Sequence, residues 1–246
     1  MYEKFIELWK KYFNNAELPI TFYYTNEEGH AELVKPGQAD RCIIGALSSV
    51  RHGKSYSFDT NSIGCFGGKW WVGFSEKIAP RPDFEYFLSC GIPGKLEGER
   101  YKKSPEIVLE IMKKVPVLKA PARYIVFKRW DKLEESDNPE VVIFFTRPDV
   151  LSGLFTLANF DWTELNGVIA PMSSGCGSIV HHPYLEKDAE KPRGIIGMFD
   201  PSARPYVHEN ELTFAIPMKR FLTMIDDMEE SFLIANSWKD VQQRIQ

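Results

Sequence analysis

Apolar positions along this chain keep two rhythms, and the places where one gives way to the other mark its elements. Tyr2, Phe5, Ile6, Trp9, Tyr12 and Phe13 recur at helical spacing with charged residues between them, which predicts an amphipathic helix over 2–13. Pro19–Tyr24 is β-branched and aromatic, the composition of a strand. Asp40 offers an N-cap to a helix over about 41–51, and Gly53 its stop. Asn61–Gly68 is rich in turn residues, and Lys69–Phe74 after it reads as a strand that sends Trp70 and Trp71 to opposite faces. Pro80 and Pro82 break the chain. Ser104-Pro105-Glu106 opens the next helix, which Pro116 stops.

Strands are expected over Arg123–Lys128 and Val141–Thr146, the latter apolar on both faces as a central strand would be. A helix follows at about 149–159 and a strand at Asn166–Met172. Ser173–Gly177 turns the chain. Strands at Ile195–Phe199 and Leu212–Ile216 precede a final helix carrying Phe221, Leu222, Ile225, Met228 and Phe232. The order predicts an α+β fold, a mixed sheet with helices packed on it, built as one domain over 1–246. The two halves echo each other: an apolar strand and then a cysteine at a helix start, PITFYY with Cys42 and VVIFFT with Cys176. A degenerate internal duplication is one reading of that echo.

Composition narrows the classes. Hydrophobic residues are 43% and charged residues 26%, so the chain is globular rather than disordered. A net charge of −4 with scattered basic residues argues against a nucleic-acid partner. No apolar run approaches the roughly 20 residues of a membrane span, and Met1–Asn15 is no export signal. The expected address is the cytoplasm, with all four cysteines reduced. The sequence does not set an oligomeric state.

Chemistry concentrates at the cysteines. Cys176 lies in Ser173-Ser174-Gly175-Cys176-Gly177, where glycines let backbone N–H groups face a ligand and a helix start favours a thiolate by about 0.3–1 kcal/mol. That helps a nucleophile without making one. The sequence therefore predicts a Cys176 more reactive than Cys90, which has no such context. Cys42 also opens a helix, with Gly45, Ala46 and Ser49 beside it. Cys65 sits among Gly64, Gly67 and Gly68, a loop that matches no phosphate or dinucleotide fingerprint. No pair has CxxC spacing, so a metal would have to gather distant ligands. His181-His182 suggests a ligand pair, but neighbours diverge by about 100° on a regular helix, and Pro183 implies an irregular turn there. Each thiol can equally be a small packed residue.

Several of these segments, taken in order, resemble a known family. They are Leu18-Pro19-Ile20, Cys42 before a helix ending near Gly53, Cys65-x-Gly67-Gly68 before Gly73, and Lys103-Ser104-Pro105-Glu106. Pro139–Phe144, Ser174-Gly175-Cys176 and Ile216-Pro217 complete the set. Over about residues 15–225 the chain resembles domain of unknown function 169, the uncharacterised ArCR family. The resemblance implies recurring positions at Cys42, Cys65 and Cys176 and no particular reaction. Ser178-Ile179 stands where it leads one to expect Gly-Arg, so no arginine-held anion is implied.

Two functions remain open. In one, Cys42, Cys65 and Cys176 face a common cleft and hold zinc, an iron–sulfur cluster or a small-molecule cofactor, with Gly64, Gly67, Gly68, Gly175 and Gly177 shaping the cradle. In the other, Cys176 is the catalytic thiol of an enzyme acting on a small anionic metabolite.

Overall fold

The computed structural model describes residues 2–37, 42–77 and 82–245. Asp40 and Pro80, expected to cap and to break the chain, lie outside the described residues. Helix α1 (Tyr2–Phe13) buries Phe5, Leu8, Trp9, Tyr12 and Phe13 along the predicted apolar stripe. Strands β1 (Ile20–Thr25) and β2 (Glu32–Leu33) precede α2 (Ile43–Arg51) and β3 (Tyr56–Phe58). Gly53 ends α2 with φ +95°. There the amides of Gly53 and Lys54 close back on the Val50 and Ser49 carbonyls.

The predicted strand at Lys69–Phe74 is instead α3 (Phe66–Trp71). Cys65 caps its start, and Gly73, at φ +80°, ends it with the same paired return bonds: Gly73 N–H to Trp70 O and Phe74 N–H to Lys69 O. Those terminal bonds outweigh the strand preference of Trp70, Trp71 and Val72. Helices α4 (Phe84–Phe87) and α5 (Pro105–Lys114) lead to β4 (Tyr124–Arg129), β5 (Val141–Thr146) and α6 (Pro148–Leu157). All six residues of β5 are buried, as its apolar faces required.

Strand β6 is only Val168–Ile169, shorter than expected. A helical run from Gly175 to Glu186 follows, containing a π-helical turn at Gly177–His181 and then α7 (His182–Glu186). Strands β7 (Gly194–Gly197) and β8 (Leu212–Pro217) complete the sheet. The final segment breaks into α8 (Met218–Asp227) and α9 (Asn236–Gln242) rather than one helix.

The described strands form one sheet in the order β2-β3-β4-β1-β5-β8-β7-β6. Outward from the central β1–β5 pair, the strands run β1, β4, β3, β2 on one side and β5, β8, β7, β6 on the other. In both arms the first two pairings are antiparallel and the last is parallel. Each parallel pair is joined by a helical crossover, α2 in the first arm and Gly175–Glu186 in the second. The two halves thus share one topology about a pseudo-two-fold axis through the sheet. The echo heard in the sequence is a repeat in three dimensions.

Both crossovers cover the same face, where Ile44, Leu47, Val50, Ile179 and Val180 pack on Phe22, Phe127, Ile143 and Ala215. The opposite face carries α1, α6, α8 and α9 around Trp9, Phe13, Phe144, Phe214 and Trp238.

Candidate functional site

The repeat places Cys42 and Cys176 at equivalent stations, each at the start of its crossover. Cys42 is the N-cap of α2. In the other half the Ser174 hydroxyl accepts from the Gly177 amide (3.3 Å) and lies 3.5 Å from the Cys176 sulfur. A carboxylate joins this end: Asp200 Oδ2 accepts from the Gly175 amide at 3.2 Å, while Oδ1 accepts from the amide and the hydroxyl of Ser202. The first half has a counterpart in Asp59, whose Oδ1 accepts from the Asn61 and Ser62 amides. Both aspartates follow a phenylalanine where the equivalent strands end, Phe58-Asp59 at the end of β3 and Phe199-Asp200 just past β7.

The two crossovers meet where they begin. A Cβ on Gly175 would stand 3.4 Å from Ile44 Cγ1 in the first turn of α2, 3.2 Å from Met198 Sδ and 2.7 Å from Ala203 Cβ. The two crossovers are equivalent elements that touch at their first turns, so this junction lies at the seam between the halves. Cys65 joins it from α3, its sulfur accepting from the Gly68 amide at 3.4 Å. Cys42 and Cys65 both lie within electrostatic reach of Cys176. Burial pushes the Cys176 thiol up to about 12, the Ser174 hydroxyl opposing it and Cys42 and Cys65 adding to it. Burial raises Cys42 too; the Ile44 and Gly45 amides oppose, and Cys65 and Asp200 reinforce.

Exposure separates them. Cys176 is buried, Cys42 half-buried, and Cys65 and Cys90 are exposed; all four are free thiols. The burial of Cys176 runs against the reactivity that its glycine turn led us to expect. The glycines divide as well. Gly64 has open space where a Cβ would stand and Gly67 has only the Cys65 sulfur near. Gly68, Gly175 and Gly177 are closely packed, and a Cβ on Gly177 would come within 2.8 Å of the Trp71 ring. Chain packing fills the cradle expected at Gly175 and Gly177. Among the described residues no three His, Cys, Asp or Glu side chains are disposed to hold a metal ion.

A second constellation lies between α3 and the Gly175–Glu186 helix. Trp70 stacks on His181 at 5.2 Å between ring centres and 23° between planes, and Trp71 meets His181 edge-on at 5.0 Å. His181 and His182 are 5.2 Å apart. Burial holds the His181 ring down to about 4, helped by His182 and opposed by the nearby Pro116 carbonyl. Trp70 and Trp71, expected on opposite faces of a strand, instead meet each other at 4.5 Å. The sequence reading missed Ser174, Asp200 and this aromatic cluster. The repeated Phe-Asp after two strands was the one signal that could have pointed to Asp200.

No helix among the described residues is long and apolar enough to cross a membrane. A family model described as domain of unknown function 169, uncharacterised ArCR, matches residues 10–227. Searches of curated proteins and of solved structures gave no match.

Proposed function

The chain belongs to the uncharacterised ArCR family, and from that premise we propose that it binds a small molecule at the junction of its two halves, where Cys42, Cys65 and Cys176 meet. One observation carries the reading. Two equivalent helices, each opened by a cysteine, abut at their first turns through Gly175 and Ile44, and a third thiol enters from α3. Packing a core does not require thiols from three distant stretches to converge at a seam. Cys65 and Cys42 are the accessible thiols that ligand would contact, with Cys176 beneath them as an uncharged sulfur. The backbone around Gly64 and Gly67 is the part of the glycine loop free to approach the ligand. We assign the chain to a reducing, cytoplasmic setting, where such thiols stay free.

Zinc or an iron–sulfur cluster is the metal form of this reading. It rests on Cys42 and Cys65 lying within electrostatic reach of Cys176 and requires the sulfurs to draw closer on loading. Catalysis by Cys176 on a small anionic metabolite is favoured by the Ser174 hydroxyl at 3.5 Å and opposed by the burial of the thiol.

Iodoacetamide labelling with mass mapping tests the proposal, run with and without a panel of carboxylate and phosphate metabolites on protein purified anaerobically. The expected result is that one ligand class slows labelling of Cys42 and Cys65 together and leaves Cys90 unchanged. Bound iron or zinc lost on C42S/C65S substitution would assign the metal form. Unprotected thiols in metal-free protein, across the panel, would overturn the reading.

A further inference from the structure

Among the described residues eight buried side-chain polar atoms lack a hydrogen-bond partner, and five of them lie together. They are both ring nitrogens of His181, near which the Pro116 carbonyl stands outside hydrogen-bonding geometry, Nε2 of His182, the indole nitrogen of Trp70 and the hydroxyl of Ser173. An unpaired buried polar atom is costly, so such a cluster calls for an occupant. The rings of Trp70, Trp71, His181 and His182 lie 4.5–5.8 Å apart between centres, so their unpaired nitrogens belong to one cluster. Ser173 borders the same cluster, since a Cβ on Gly177 would touch both Ser173 and Trp71.

Two imidazoles bound to one tetrahedral ion at about 2.0–2.1 Å have ring centres roughly 5 Å apart. His181 and His182 have that spacing, at 5.2 Å with their planes 78° apart. On a regular helix adjacent side chains diverge by about 100°. Here His181 ends a π-helical turn and His182 starts α7, with Pro183 behind it. Such turns are uncommon and recur at functional sites.

We propose that His181 and His182 hold a late transition-metal cation of the zinc or copper class, distinct from the thiol junction. Neutral imidazole suits these ions. No third His, Cys, Asp or Glu among the described residues completes the shell, so water or a small anion fills the remaining positions. The Trp70 N–H and the Ser173 O–H, both unpartnered, are the donors that would hold that ligand.

The test adds Zn²⁺ to the full chain labelled with ¹⁵N-histidine and follows the ring nitrogens, with affinity read by competition against a chromophoric chelator. We expect one equivalent to shift the ring signals of two histidines and leave those of His30, His52 and His208 in place. H182Q should weaken binding at least tenfold, while C42S/C65S should retain it and so separate this site from the thiol junction. If H181Q fails to fold, H182Q and the nitrogen shifts decide. Unmoved histidine signals at saturating Zn²⁺, or unchanged affinity in H182Q, would overturn the proposal and leave ordered water as the occupant.

Discussion

A thiol at a helix start gains little from its position when it is also buried. The helix contributes about 0.3–1 kcal/mol toward the thiolate, whereas burial lifts Cys176 to about 12 from an ordinary 9.0. That gap corresponds to about 4 kcal/mol between the protonation states. Iodoacetamide at neutral pH should therefore modify the exposed Cys65 and Cys90 well before Cys176, the reverse of what the glycine turn suggested. Equal rates for Cys176 and Cys90 would contradict this. Linkage gives a second expectation, with a definite sign. Below pH 9 the Cys176 thiol is protonated in both folded and unfolded chains and has no effect on the pH dependence of stability. Between pH 9 and 12 the unfolded chain releases its proton and the folded chain keeps it, so stability falls as pH rises. Urea midpoints at pH 8 and pH 10.5 should show C176S losing about 2 kcal/mol less than the parent over that interval.

Elements were legible where one signal spoke without a rival. The apolar stripe of α1, the doubly buried β5 and the proline-opened α5 follow directly from their residues. Helix α3 did not, because Trp70, Trp71 and Val72 favour a strand while the decisive residues, Cys65 and Gly73, lie just outside the helix they bound. A glycine two residues after a tryptophan pair reads equally as a strand kink or a helix stop, and only its return bonds settle the matter. Gly73→Ala should cost about 1 kcal/mol for the positive φ, and more because its Cβ would meet the Ala120 amide nitrogen at 2.6 Å. Gly177→Ala would drive a methyl into the Trp71 ring, and a loss of about 1–3 kcal/mol is expected. Near-ultraviolet circular dichroism should register the displaced indole. A Gly177→Ala variant with parental stability and spectrum would mean that the two helices are not packed as described. The candidate site was half legible for the same reason. Its three cysteines stand out in the sequence, but Asp200 and Ser174 matter only through a fold that brings Gly175 against Ile44.

At the scale of the whole molecule, the repeat makes two arms from one plan, and the second face ties them together. Trp9 of α1 packs on Phe144 of β5, and Phe13 packs on Trp238 of α9, so the N-terminal helix rests on the C-terminal half. We expect limited proteolysis between β4 and β5 to yield fragments that stay associated. Two halves each stable alone would defeat that expectation. The backbone seam between the arms is thin: β1 pairs with β5 only from Ile20 to Phe22, whereas β1 with β4 and β5 with β8 pair along six residues each. The join between the arms therefore rests on side-chain packing across both faces of the sheet more than on the short ladder between β1 and β5.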